Sequence, residues 1–347
     1  MPGISWKLSP RFSAVLLSSL LTTALGASGC DCNGSDDDNP GNPSGTGASG
    51  AGGTGGMGNG SGDGTIEESS VVIEISSPLD AAPSKDGSVI YFTAIGDSGA
   101  GVYSVPAGGG DPLEVAVGDP FVFPVGIAVS TDGKTLYVAD LGVEGSEQLG
   151  TDGGKILEVS AEGGAASEVL TTDATFPRGL DVVEKDGADV IYYSGTTSTG
   201  EPALFEVPAG GGEPTPVASG APLRDPAGVA VAGEVIYVLD TVASSRGLAT
   251  ILAVTDGKAE EFVAHLTVGY PAGIALSQDG SALLVSGFDE AKGTAGVLRV
   301  DIVSKEITTF PEDDSYLGFE EPGGLHRAKG ADVYSFVDGS GTIFLLK

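Results

Sequence analysis

The sequence lacks much of what enzymes and metal centres are usually built from. Its 347 residues include two cysteines, two histidines and one tryptophan. Both cysteines, Cys30 and Cys32, precede the first regularly patterned stretch. The body of the chain therefore offers no thiol for a disulfide, a metal or nucleophilic attack. Asparagine is absent from Thr65 through Lys347. His265 sits inside the strand-like run FVAHL, which leaves His326 as the one other imidazole, and no Ser-His-Asp spacing stands out. Basic residues are scarce as well, with 16 Lys and Arg against 48 Asp and Glu, a formal charge of −32. Nucleic acid is excluded as a partner on that balance, because its affinity comes from basic side chains that displace counterions. Two readings of the acidity stay open: a surface that keeps an exported protein soluble, or attraction for cationic partners, divalent ions or a cation-rich wall.

In place of those features the chain has a phrase that returns. FPVGIAVSTDGKTLYVAD, from Phe123 to Asp140, reads proline, spacer, glycine, apolar run, Asp-Gly turn, second apolar run and closing aspartate. Pro124-Val125-Gly126 with Asp132-Gly133 aligns without gaps on Pro271-Ala272-Gly273 with Asp279-Gly280, and on Pro78-Leu79-Asp80 with Asp86-Gly87. Looser copies begin at Pro177, Pro226 and Pro322, so the phrase recurs six times at a spacing of about 45 to 53 residues. The second copy splits into runs 126–130, 135–140, 155–160 and 166–171, four short strands. Asp-Gly marks a tight turn between the first two, whose central residues both need positive φ. VPAGGGDP (Val105 to Pro112) and VPAGGGEP (Val207 to Pro214) mark the turn between the third and fourth.

Four antiparallel strands at this period make the blade of a β-propeller. Proline suits the first residue of a strand, where it need not donate to the ladder, and glycine lets backbones crowd where the inner strands converge. The sixth copy ends after three strands, at runs 324–327, 332–337 and 341–346, while the apolar run 70–75 belongs to no blade of its own. That run is expected to supply the missing strand and close the ring, removing two exposed edges. The fold class is therefore all-β, a six-bladed β-propeller of four-stranded blades closed by the N-terminal strand.

The P-x-G-apolar, D-G, L-Y-V-A-D pattern of Pro124 to Asp140 resembles the six-bladed propellers of the NHL, YWTD and TolB-like group, over roughly residues 70–347. NHL repeats continue past the closing aspartate into an asparagine and arginine phrase, whereas Asp140 is followed by Leu141-Gly142-Val143-Glu144, so the match is to the wider group. The resemblance is specific for fold and not for function. Gluconolactonase-like propellers hold a divalent metal with glutamate, aspartate and two asparagines, and the missing asparagines leave that set without an equivalent here.

Ahead of the propeller, Lys7 and Arg11 precede an apolar stretch from Phe12 to Leu25 that is too short and too polar to span a membrane. Ala27-Ser28-Gly29-Cys30 resembles a bacterial lipobox, with Cys30 as the lipidated residue and Ala27 where leucine normally stands; cleavage after Ala27 or Gly29 to release a soluble protein is the alternative. The expected organisation is a lipoprotein-type signal over 1–29, a Gly/Ser/Asp-rich disordered linker over 30–65 and the propeller over 66–347. Asp36-Asp37-Asp38 lacks the ligand spacing of a calcium loop and belongs to the linker.

Positions that break the repeat are those the fold does not require. Two residues past the repeat glycine, Ala82, Ala128, Ala230 and Ala275 give way in blades three and six to Asp181 and His326. Asp80 replaces the glycine of blade one, and Arg327 replaces an apolar residue of blade six. These groups either satisfy one another or line a ligand site in the channel. On one face, Asp97, Asp140, Asp240, Asp289 and Asp338 follow second strands, while Phe121, Phe123, Phe176, Arg178, Arg224, Tyr270 and Phe319 lie just ahead of the repeat glycines. This is either ordinary turn chemistry or a mouth for a calcium ion, a cationic peptide or a sugar. The candidate ligand-binding residues are Asp80, Asp140, Arg178, Asp181, Asp240, Tyr270 and His326, with Asp140 and Asp240 as oxygen donors to Ca2+ and no catalytic residue assigned. The function expected is a monomeric, non-catalytic binding or scaffolding module for a protein or cell-envelope ligand, exported and lipid-anchored in the bacterial envelope. The alternative is a divalent-metal-dependent hydrolase or lactonase with a carboxylate-only site.

Overall fold

The computed structural model describes residues 62–75, 77–142, 153–169, 175–246, 248–311 and 319–347. The expected signal segment, Cys30, Cys32 and most of the linker lie outside them. The described residues contain no helix and 24 strands, which form four separate four-stranded sheets and one eight-stranded sheet. The larger sheet is two blades joined where Thr267 and Val268 pair with Phe288 and Gly287. The innermost strands are Pro78–Pro83, Pro124–Val129, Leu180–Lys185, Pro226–Ala232, Ile274–Leu276 and Pro322–Arg327. Each touches the next and the last touches the first, so six blades surround one axis. Ser69–Glu74 pairs antiparallel with Thr342–Leu346 and completes blade six, as expected from the orphan run.

The repeat glycines sit where adjacent inner strands press together. A Cβ on Gly228 would come within 2.5 Å of the Ala272 carbonyl oxygen of the next blade, and one on Gly179 would collide with the Ala227 carbonyl. The Asp-Gly turns differ from expectation. In Ser84–Gly87, Ser130–Gly133 and Ser277–Gly280 only the glycine takes positive φ, at 75°, 84° and 75°. The aspartate instead accepts the serine hydroxyl at 2.8, 2.8 and 2.9 Å, so side-chain bonds shape the turn. Blade three does have both residues at positive φ, Asp186 at 56° and Gly187 at 82°.

The apolar core lies between neighbouring blades. Val125, Tyr137 and Ile156 of blade two pack on Leu180, Ile191, Tyr193 and Phe205 of blade three, with the Tyr193 and Phe205 rings stacked at 5.1 Å.

The linker ends earlier than its composition suggests, because residues 62–65 are already docked on blades five and six. Gly62 donates its N–H to the Asp332 carboxylate at 3.0 Å, and its carbonyl accepts from Asp279 N at 2.8 Å. Arg299 Nε donates to the Asp63 carbonyl at 3.0 Å, and Ile66 is buried in the cluster around Tyr334 and Phe336. Gly-rich composition marks these residues as linker, yet they are held by backbone groups, which composition does not reveal.

Removing residues 66–76 should open blade six and collapse its melting transition, since an edge of Thr342–Leu346 loses its partner. Removing residues 33–57 should leave the melting temperature unchanged. Differential scanning calorimetry on the two deletions checks this, and coincident curves would refute closure by the N-terminal strand.

Candidate functional site

The two ends of the propeller are unequal. At one end, here the loop face, second strands finish and first strands begin, and connections run from Gly142 to Gly153, from Glu168 to Leu180 and from Phe310 to Pro322. At the other, the turn face, strands are joined by short turns such as the one from Lys185 to Ala188. Binding residues gather on long connections carried by a rigid scaffold.

Of the acidic ring expected on the loop face, Asp140, Asp240 and Asp338 are turned inward, whereas Asp97 is exposed and Asp289 half-buried. Asp140 and Asp240 are 1% and 0% exposed. The Asp140 carboxylate accepts Val122 N at 2.9 Å, Phe123 N at 3.1 Å and Gly142 N at 2.7 Å. Asp240 accepts Arg224 N at 2.7 Å, Asp225 N at 2.9 Å and Val242 N at 3.2 Å. Asp338 repeats the pattern with Glu320 N, Glu321 N and Ser340 N at 2.5, 3.1 and 2.9 Å. In each case the carboxylate closes the loop arriving from the previous blade. Burial pushes the Asp140 and Asp240 carboxyls above the usual carboxylate range, and the backbone N–H donors restrain the rise. The oxygens expected to ligate calcium already face N–H donors, and among the described residues no three His, Cys, Asp or Glu side chains gather as a metal site. Phe121 and Phe319 are also buried, at 7% and 3% exposure, so they pack the ring rather than line an entrance.

Only blades two, four and six carry this aspartate. The register places Ala94, Gly195 and Gly287 at the matching position of blades one, three and five, each preceded by a hydroxyl residue, Thr93, Ser194 or Ser286. Ser194 Oγ donates to the Ala227 carbonyl and Ser286 Oγ to the Gly323 carbonyl of the following blade, both at 2.5 Å. Ser335 of blade six likewise donates to the Ala81 carbonyl of blade one, whereas Thr93 of blade one donates to the Asp80 carbonyl of its own blade, so two kinds of polar clasp share the ring without strict alternation.

The central channel brings together most of the remaining candidates. At its loop-face end, Asp80, Arg178, Tyr270 and His326 join Val125, Leu180, Val229 and Ile274 around a chamber with an empty volume of about 400 Å³, mouth included. Arg178 forms an ion pair with Asp225, which also accepts the Thr241 hydroxyl. His326 Nε2 lies 2.9 Å from Asp80 Oδ2. The same carboxylate accepts Ile127 N at 2.9 Å and Ala81 N at 2.9 Å, so it joins blades six, one and two. Asp181 does not meet His326 across the ring. It accepts Lys329 Nζ at 2.5 Å, Val231 N at 3.0 Å and Val182 N at 2.8 Å, which braces blade six against blades three and four. Lys329 is the residue that sequence reasoning missed; its position just past His326, in the turn after an inner strand, was the available signal.

Burial acts to depress the His326 imidazole, but the Asp80 charge and hydrogen bond, helped by Asp181, carry it above its ordinary value. Burial likewise opposes ionisation of Asp181, and is outweighed by Lys329 and the Val231 N–H, so its carboxyl lies below the usual range. Burial raises the Tyr270 hydroxyl, with Arg178 countering and Asp225 adding to the shift.

By sequence the chain matches no known protein family and no curated protein. Its fold does resemble solved structures. A gluconolactonase from Xanthomonas campestris is 15% identical, with a TM-score of 0.57 over 84% of this chain and 93% of that one. A putative TolB from Agrobacterium tumefaciens is 15% identical, with a TM-score of 0.53 over 78% and 91%. A chain of a nidogen/laminin complex is 15% identical, with a TM-score of 0.54 over 72% and 84%. Likeness at this identity establishes the β-propeller and nothing about activity.

Two measurements check these assignments. Asp140→Ala should cost on the order of 3 kcal/mol in denaturant unfolding, because buried N–H donors lose their acceptor. The cost should be the same with and without calcium, and a calcium-dependent difference would restore the ligand role. His326, raised in the folded state, contributes stability that is complete below its unfolded pKa of about 6.5 and is lost as pH rises through the folded value. The melting temperature of the wild type should therefore fall across that window relative to His326→Gln, and parallel profiles would contradict the charged pair with Asp80.

Proposed function

We propose that this chain is a non-catalytic binding module, exported and held at the bacterial cell envelope by a lipid on Cys30, that recognises a protein partner through its loop face. The observation that carries the reading is that four of the candidate carboxylates are engaged within the fold while the loop face presents exposed apolar and charged side chains. Asp80, Asp140, Asp181 and Asp240 each hold backbone N–H groups of a neighbouring loop or blade. The loop face carries the long connections, the mouth of the larger chamber, exposed Ile95 and Val122 at 37% and 46%, and charged Arg224, Glu320 and Glu321 at its rim. Apolar side chains within a polar rim are the usual composition of a protein-binding patch. The putative TolB and the nidogen/laminin chain lend the reading a precedent in fold alone. The lipobox-like Ala27-Ser28-Gly29-Cys30 supports the attachment, with the Gly-rich segment behind it as tether; stable anchoring takes more than one acyl chain.

A photo-crosslinking residue at Val122 should give a discrete protein adduct in intact cells, whereas the same residue at Val303, fully exposed in a turn-face connection of blade five, should give none. Equal labelling at the two sites, or none at Val122, would overturn loop-face recognition. Lactone hydrolysis by the purified protein, abolished by a chelator, would shift the assignment to the metal-dependent hydrolase. Cys30→Ala serves as the attachment control: the wild type should partition into detergent and the variant should not.

A further inference from the structure

The turn-face end of the channel holds a second chamber, which shares Val229, Ile274 and His326 with the loop-face one and is independent of the function proposed for that face. Asp181, His326, Arg327 and Lys329 line it together with Val229 and Ile274, around an empty volume of about 290 Å³ that includes its opening. In a chain with 48 acidic and 16 basic residues, three of its four ionisable linings are cationic groups.

Their counter-charges are already committed or missing. Asp181 accepts Lys329 and two backbone N–H groups, and Asp80, which holds His326, accepts two more. Arg327 has no carboxylate partner among the described residues. Its Nε donates to the Leu276 carbonyl at 2.8 Å, and one Nη donates to the carbonyls of Ala328 and Ala331 at 2.8 and 3.3 Å. The second Nη and two of the three Lys329 ammonium protons have no protein acceptor among the described residues. The Lys329, Asp181 and His326 side chains are only 23%, 19% and 18% exposed, so solvent compensates them incompletely. Arg327 also stands where the other blades have Pro83, Val129, Val182, Val231 and Leu276, so the ring itself does not call for a cation there.

We propose that this chamber is a binding site for a small tetrahedral oxyanion, phosphate or sulfate, held by the free Nη of Arg327 and the Lys329 ammonium. A guanidinium Nη and an ammonium lining one chamber suit an oxyanion better than a spherical halide, because each can engage a different oxygen. The acidic exterior repels anions, and the channel end is the place where a local cationic surplus reverses that field.

Isothermal titration of the full chain with inorganic phosphate, against sodium chloride at matched ionic strength, tests the site. Saturable binding is expected, competed by sulfate and not by acetate. Arg327→Gln and Lys329→Gln should each weaken it about tenfold or more, while Arg224→Gln on the loop face should bind as wild type. Because both chamber variants also remove bonds between blades, the wild type supplies a second readout: phosphate should shift the guanidinium resonances of Arg327 in nitrogen-proton spectra. Absence of saturable binding beyond the chloride control, wild-type affinity in Arg327→Gln, or an unmoved Arg327 signal would each overturn the proposal.

Discussion

Crowding at the axis is the constraint on which the rest of the structure depends. Six inner strands converge there, and at Gly126, Gly179, Gly228 and Gly273 the next blade's backbone occupies the space a side chain would need, while at Gly324 the Asp80 carboxylate does. A residue that departs from glycine must therefore repay the intrusion with bonds. Asp80 does so by accepting N–H groups from its own strand and from blade two while pairing with His326 of blade six. Asp181, displaced two positions along, makes the same connection between blades three and four and receives Lys329. Both carboxylates act as inter-strand staples whose remaining charge is met by a cation from the closing blade.

The ring is also not six times the same unit. A buried aspartate clasps the incoming loop in even blades, and a buried hydroxyl reaches the following blade in odd blades three and five. Backbone N–H groups that share a buried carboxylate lose their acceptor only at a cost, so the loops entering even blades are fixed at their roots.

Net charge misleads when it is assigned to the surface as a whole. The net acidity belongs to the chain as a whole, while four of its few basic or imidazole side chains, Arg178, His326, Arg327 and Lys329, gather along the channel. An overall charge of −32 points to cationic partners, yet the interior end of the channel is poised for an anion. The two statements apply to different length scales: screening limits the outer field to about 8 Å at physiological salt, whereas partly buried groups respond to their immediate neighbours.

The sequence by itself determined the architecture: the repeat period, the four runs per repeat, the tight turns and the orphan run that closes the ring. Each rests on local patterning and on the requirement that edges be paired, and register followed from it. Sequence also located most of the residues that matter, because Asp80, Asp181, His326 and Arg327 break a repeat that is otherwise regular. It did not determine what they touch. Asp140 and Asp240 look like exposed turn acids in one dimension, and only the returning loop shows that their oxygens are taken. Asp181 meets Lys329, 148 positions away, because ring closure carries blade six opposite blade three. Pairings of that span depend on how far each turn and strand displaces a side chain along the axis, a quantity no repeat pattern encodes, and so tertiary structure alone decided which polar groups were spent on the fold and which were left for a ligand.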